Sequence, residues 1–119
     1  MNVQIFGTQK SQASKKAQRF FKERGIQIHF VDLNKKPISP GEIGRFIQKF
    51  GLDALIDTEG KAYERTGLAY MRLSEEQWVA KFQDKPELLV QPLLRVDKQL
   101  GLGWDEGFWR EALKEKASQ

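Results

Sequence analysis

The chain has 119 residues, of which 39% are hydrophobic and 30% charged, and its formal net charge is +4. This length suits one domain, and the absence of cysteine together with a single histidine, His29, excludes disulfides, thiolate nucleophiles, CxxC redox couples and cysteine- or histidine-rich metal centres. Because the sequence has no apolar run of about 18 residues and no basic, apolar leader at its start, we expect no membrane span and no signal peptide, and therefore a cytoplasmic protein.

The first third of the chain predicts a β-α-β unit. Val3 and Ile5 alternate with polar residues and predict a short strand. Apolar residues then recur at helical spacing over residues 13–24, and Gly25 is suited to end that helix. Residues 26–31 alternate again and predict a second strand. Two strands that flank one helix predict a parallel pair joined by a right-handed crossover.

The middle of the chain predicts only helices. Ser39 is followed by proline at the first helical position and by Glu42, and this combination is typical of a helix start with a capping serine. Gly51 suits the end of this helix, and Ser74 with Gln77 forms a second capping box. The predicted helices lie, in chain order, over residues 40–50, 52–56, 61–66 and 75–85.

The last third predicts a hairpin followed by a helix. Two apolar runs, residues 93–96 and 100–104, are separated by Asp97-Lys98-Gln99, a spacing typical of an antiparallel hairpin. Asp105 suits the cap of a final helix that ends in a charged tail. The whole order of β-α-β, helices and β-β-α predicts an α/β sandwich with four strands.

A series of short stretches, spread over almost the whole chain, follows one known family in a single register. The stretches are Ile5-Phe6-Gly7, Ser11–Ala17, Asp32-Leu33, Lys36–Ser39, Glu42, Ala54–Ile56, Tyr63–Leu68, Leu73–Gln77 and Gln91–Val96. In these stretches and in its element order, the chain resembles the arsenate reductase-like family, which includes ArsC and the Spx regulators. The resemblance implies one domain over residues 1–119, with a thioredoxin-like four-stranded mixed sheet and a helical insertion at about residues 37–89.

The resemblance also indicates where this chain departs from the family. Family members carry a nucleophilic cysteine between the first strand and the first helix, often as CxxC or CxxS, and here that window is Ser11-Gln12-Ala13-Ser14. A serine hydroxyl forms no anion comparable to a thiolate near neutral pH unless a base activates it. Two serines cannot form the disulfide of an Spx-type redox switch either.

Three further family positions carry arginines that hold the oxyanion. Their counterparts here are Asp57, Gln91 and a third position near Gly103 and Trp104, none of which is basic. The resemblance therefore implies that arsenate reductase activity and the redox switch are both absent. It also implies that Pro92 is the family's cis-proline and faces the start of the first helix.

The start of the first helix remains a candidate binding site without the thiol. Free N–H groups at a helix N-terminus favour anions, and two lysines flank this one. The ligand expected there is an anion, glutathione or a peptide. The candidate residues are Thr8, Lys10, Ser11, Ser14, Lys15, Gln91 and Pro92. The alternative is a purely structural helix start, with Ser11 as its cap and both lysines in water.

Two functions follow from the resemblance. The first is a non-catalytic, protein-binding or regulatory module, whose protein partner the Spx relatives place in the transcription machinery. The alternative is a glutathione-binding transferase or reductase that uses Ser11 in place of cysteine; apart from glutathione, no cofactor or metal is expected. The basic residues 1–49, with ten Lys and Arg against three acids, leave nucleic-acid binding as a weaker third option. We expect a monomer without a membrane partner.

Overall fold

Four strands and six helices follow one another in residues 1–117, the part of the chain that the computed structural model describes. The strands are β1 (Val3–Gly7), β2 (Ile28–Asp32), β3 (Leu93–Val96) and β4 (Gln99–Leu102). The helices are α1 (Gln12–Glu23), α2 (Pro40–Phe50), α3 (Leu52–Leu55), α4 (Lys61–Arg65), α5 (Glu75–Asp84) and α6 (Glu106–Ala117), with 3₁₀ turns at Leu68–Tyr70 and Pro86–Leu88. None of the described helices is long and apolar enough to cross a bilayer. The end of the predicted charged tail, residues 118–119, lies outside the described residues.

The four strands form one mixed sheet in the order β2-β1-β3-β4. β1 pairs with β2 in parallel, with Ile5 opposite Phe30, so the predicted β-α-β unit is confirmed. β3 runs antiparallel to both β1 and β4, which places Leu94 between Ile5 and Gly101. The α/β class with a thioredoxin-like sheet is confirmed, and helices α2 to α5 lie in the segment between β2 and β3.

The start of β2 differs from the prediction. The N–H of Ile26 donates to the carbonyl of Phe21 over 3.0 Å, so Ile26 belongs to the turn that closes α1 rather than to the strand. Arg24 caps α1 instead of continuing its apolar face, and its guanidinium lies 3.6 Å above the ring centre of Phe20. The strand therefore begins later than predicted, at Ile28.

The hairpin is tighter than the sequence indicates. Gln99 pairs with Val96 inside the ladder, so Asp97 and Lys98 alone form the turn. Asp97 has a φ of 55°, the left-handed backbone conformation that a two-residue hairpin turn requires. Aspartate adopts this conformation more readily than most residues do, because its short polar side chain can bond locally. The predicted three-residue connection is therefore wrong, and β4 ends at Leu102, earlier than predicted.

Apolar side chains pack on both faces of the sheet. On one face, Phe21 of α1 and Trp109 of α6 lie with their ring centres 6.2 Å apart. On the other face, Phe46 of α2 packs edge-on against Phe6 of β1, also at 6.2 Å. Full burial of one such side chain stabilises the fold by about 1.5–3 kcal/mol. This two-sided core fixes β1 and β3, and it thereby positions the loops that follow and precede them.

Side-chain caps start four helices where the sequence predicts them. Ser11, Ser39 and Ser74 accept hydrogen bonds from the N–H groups three residues further on, and Asp105 does the same for α6. In the second capping box, the Gln77 side chain accepts from the Ser74 N–H over 2.8 Å. Each cap contributes about 1 kcal/mol. Because these bonds join residues close in sequence, the sequence locates these helix starts correctly.

The close contact between Gly101 of β4 and Trp109 of α6 leads to a prediction about stability. A Cβ at Gly101 would lie 2.5 Å from Cζ2 of the buried Trp109, so Gly101→Ala overpacks the core and lowers the free energy of unfolding by about 1–3 kcal/mol. Gly44→Ala is the matched control, because its Cβ meets nothing within 4 Å and alanine favours the interior of α2 by about 0.5–1 kcal/mol. Urea unfolding measures both changes. Equal effects of the two substitutions would contradict this account of the Gly101 contact.

Candidate functional site

α1 begins directly after the end of β1, and Ser11 is its cap. The Ser11 N–H donates to the Thr8 carbonyl over 3.1 Å, which closes the loop between the two elements. The Ser11 hydroxyl accepts from the N–H of Ser14 over 3.1 Å. Ser11 is therefore the structural cap that one of the two interpretations predicts. One of the free N–H groups at this helix end already has a partner inside the protein.

Ser14 is fully buried, 0% exposed, beside Ser11. Its hydroxyl donates to the Ser11 oxygen over 2.9 Å. Gly7 packs directly against this side chain, since a Cβ at Gly7 would lie 2.3 Å from Ser14 Oγ. The two hydroxyls in the family's cysteine window are therefore bonded to each other, and the backbone of β1 covers the second of them.

Gln91 connects this turn to the segment before β3. Its side-chain oxygen accepts from the Thr8 N–H over 2.8 Å and from the Thr8 hydroxyl over 3.2 Å. Its amide nitrogen donates to the carbonyl of Pro86 over 2.9 Å. The bond between Gln91 and Pro92 is cis, as the resemblance implies. The resemblance implies an arginine at this position. The neutral carboxamide of Gln91 instead forms hydrogen bonds with other groups of the protein.

A cavity of about 270 Å³ opens at the start of α1. Its lining residues are Thr8, Lys10, Ser11, Asp57, Glu87, Leu89 and Gln91. Four of the seven predicted site residues are thus brought together. Of the other three, Ser14 and Pro92 are buried, and Lys15 is exposed in a different depression along α1.

Two carboxylates line the cavity, and the sequence identifies only one of them. Asp57 lies where the family resemblance implies an arginine, whereas Glu87 carries no sequence signal because it is an exposed acid in a short 3₁₀ turn. A bridge between Ile56 and Leu89 brings both acids to the site, with the Asp57 N–H donating to the Leu88 carbonyl over 2.8 Å. Such a long-range pairing leaves no local pattern from which it could be predicted.

The cavity carries more negative than positive charge. Lys10 is the one cation among the described residues that line it, against Asp57 and Glu87. The two acids also line an adjoining depression of about 370 Å³, which contains three cations, Lys61, Arg65 and Lys85. An oxyanion in this cavity would therefore share its lining with two carboxylates and one lysine, and like charges repel.

The third family arginine position is neutral as well. The N–H of Gly103 donates to the carbonyl of Pro92 over 2.8 Å, and the ring of Trp104 packs 5.2 Å from that of Phe20. His29, the one imidazole that could activate a serine, is exposed on β2 and lines a separate groove. Among the described residues, the lining of the cavity thus includes no cysteine, no histidine and no arginine.

The fold and the site define a thioredoxin-fold protein in which a hydroxyl stands at the position of the reactive thiol. The sequence profile of the ArsC family matches residues 6–112, which is most of the chain. This protein therefore belongs to the ArsC family, and the resemblance seen in its sequence is confirmed.

Proteins named global transcriptional regulators match most of the chain. Global transcriptional regulator Spx of Staphylococcus epidermidis is 25% identical over 116 residues, which are 96% of this chain and 88% of that protein. Global transcriptional regulator Spx 2 of Lactococcus lactis is 23% identical over 106 residues, 87% of this chain and 80% of the regulator.

Solved structures confirm the fold. The YFFB (PA3664) protein aligns with a TM-score of 0.84 at 18% identity, covering 94% of this chain and 99% of its own. The arsenate reductase from Vibrio cholerae aligns with a TM-score of 0.78 at 21% identity, and the alignment covers 93% of this chain and 97% of the reductase chain. At these identities the likeness establishes a shared fold, and the chemistry must be argued from the residues of this chain.

The role of Gln91 yields a prediction. Gln91→Ala leaves the N–H of the buried Thr8 without its partner, and we expect the free energy of unfolding to fall by about 1–3 kcal/mol. Gln9→Ala removes an exposed glutamine from the same loop and should change the free energy of unfolding by less than about 0.5 kcal/mol. Urea unfolding of both variants checks this. If Gln91→Ala were as stable as Gln9→Ala, the carboxamide would not be the connection described above.

Proposed function

We propose that this protein is a non-catalytic ArsC-family member that acts as a protein-binding, regulatory module. The observation that carries the proposal is the state of the cysteine window. Ser11 and Ser14 are hydrogen-bonded to each other, and the cavity beside them contains two carboxylates instead of arginines. The site is therefore polar and internally hydrogen-bonded, but it lacks the groups that the resemblance implies for the family chemistry.

Thiol-dependent reduction of arsenate needs a nucleophile and a way to hold a negatively charged oxyanion. A serine without an adjacent base supplies no comparable nucleophile. The negative charges of Asp57 and Glu87 oppose the binding of an oxyanion, and the side-chain amide of Gln91 already donates to the carbonyl of Pro86. Each requirement thus fails for its own physical reason, so restoring one group alone should not restore the reaction.

The regulatory part of the proposal rests on the Spx relatives. The chain matches most of the length of proteins named global transcriptional regulators, so a partner in the transcription machinery is the one we propose. Because Ser11 and Ser14 cannot form a disulfide, binding by this protein should not respond to thiol oxidants. It would be a constitutive binding module rather than a redox sensor.

Arsenate reduction is the direct test of the non-catalytic assignment. We expect the wild-type protein to consume glutathione with arsenate, in the presence of glutaredoxin, only at the background rate. Ser11→Cys should gain a thiol that iodoacetamide alkylates, because a helix N-terminus favours the thiolate. Its arsenate turnover should nevertheless stay at background, since the two carboxylates remain in the cavity.

Ser11→Ala serves as the control in both assays and should neither be alkylated nor turn over arsenate. Arsenate-dependent consumption of glutathione by the wild-type protein would overturn the proposal. Turnover by Ser11→Cys alone would mean that the missing sulfur was the one barrier, and that the charge of the cavity does not matter.

Glutathione binding separates the proposal from its enzymatic alternative. Glutathione carries a net negative charge at neutral pH, and the cavity has one cation against two acids. We therefore expect no saturable binding when glutathione is titrated into the protein and followed by calorimetry or by NMR shifts. Saturable binding that is lost on Ser11→Ala or on Lys10→Glu would instead favour a glutathione-dependent transferase or reductase.

A further inference from the structure

A second and larger groove lies between α2 and the β3–β4 hairpin, away from the start of α1. Its volume is about 630 Å³. The residues that line it are Asn2, Arg45, Gln48, Lys49, Arg95, Asp97, Lys98 and Leu100. None of these residues lines the cavity beside Ser11, so the two sites are separate.

Three cations on the rim of this groove lack ion-pair partners among the described residues. Arg45 and Lys49 are four residues apart on α2 and therefore share one face of the helix. Lys98 approaches from the hairpin turn on the other element. All three side chains are exposed, and none of the ion pairs between described residues includes them. Asp97, the one acid among the described residues that line the groove, accepts from the Asn2 N–H over 2.8 Å.

The floor of the groove differs from its rim. Arg95 is held by Glu42 over 3.2 Å and by Gln4, so its charge is already neutralised. Leu100 lies directly opposite Arg95 in the sheet and is only half-buried. The groove thus combines three cations and one acid, Asp97, at its edges with a floor formed by the neutralised Arg95 and the half-buried Leu100.

We propose that this groove binds an acidic segment of a partner protein, with glutamate or aspartate side chains on the rim cations and an aliphatic side chain on Leu100. Charge complementarity selects the acids, and the accessible part of the half-buried leucine selects the aliphatic residue. The inference rests on the proposed binding function, and it adds where the partner docks and what chemistry it presents.

A nucleic acid fits this groove less well. Proteins that bind duplex DNA tightly make about 6–10 phosphate contacts, whereas this rim offers three free cations. Single strands are held largely by stacking on aromatic side chains, and no aromatic residue is among the described residues that line the groove. The half-buried leucine would also be left without a partner against a phosphate backbone.

The test is fluorescence anisotropy with a labelled peptide of alternating glutamate and leucine residues, added to the full-length protein at low ionic strength. We expect saturable binding that weakens about ten-fold in Lys49→Glu/Lys98→Glu, since two rim charges are reversed. Lys16→Glu/Lys81→Glu is the matched control: it makes the same change in net charge at exposed lysines of α1 and α5, and it should bind like the wild type.

Several results would overturn the proposal. They are absence of saturable binding, equal loss in both double variants, equally tight binding of a glutamine–leucine peptide, and tighter binding of single-stranded DNA at the same groove. Dimerisation abolished by Lys49→Glu/Lys98→Glu would assign the groove to a second copy and also overturn it. Arsenate turnover measured on the same preparation keeps the two proposals apart, because turnover would overturn the non-catalytic assignment alone.

Discussion

The hydrogen bonds of the Gln91 carboxamide hold together the two segments on which the candidate site depends. One segment is the turn from β1 into α1, reached through Thr8, and the other is the 3₁₀ turn that ends at Leu88, reached through Pro86. The resemblance implies an arginine at this position, whereas the carboxamide of Gln91 forms hydrogen bonds with protein groups on both sides. The same neutral residue thus joins the two segments and brings no charge to the cavity.

Much of the fold could be predicted because its signals are local. A capping serine and the N–H it binds are three residues apart, so Ser39 and Ser74 mark their helices in the sequence itself. Strand ends are harder, because they depend on single backbone bonds. Ile26 leaves β2 for the turn after α1, and Gln99 joins β4 because Asp97 adopts a left-handed conformation.

The composition of both sites depends on tertiary structure that the sequence does not display. Ser11 and Gln91 could be located through the family resemblance, but Glu87 enters the cavity only through the bridge between the inserted helices and the segment before β3. From the sequence, the basic first half left only nucleic-acid binding as a weaker option. Only the folded structure shows that Lys98 of the hairpin turn lines the same groove as Arg45 and Lys49 of α2.

The tight packing of Gly7 on Ser14 has a consequence for how this protein can change over time. Cysteine differs from serine by one atom, but sulfur is larger than oxygen, and the space between β1 and this hydroxyl has no room even for a Cβ at Gly7. A thiol at residue 14 would press on the strand at Gly7, which is already the smallest residue and leaves no side chain to move aside. The return of a second sulfur to this turn therefore depends on glycine being kept at residue 7, a constraint that does not act on the acids around the cavity.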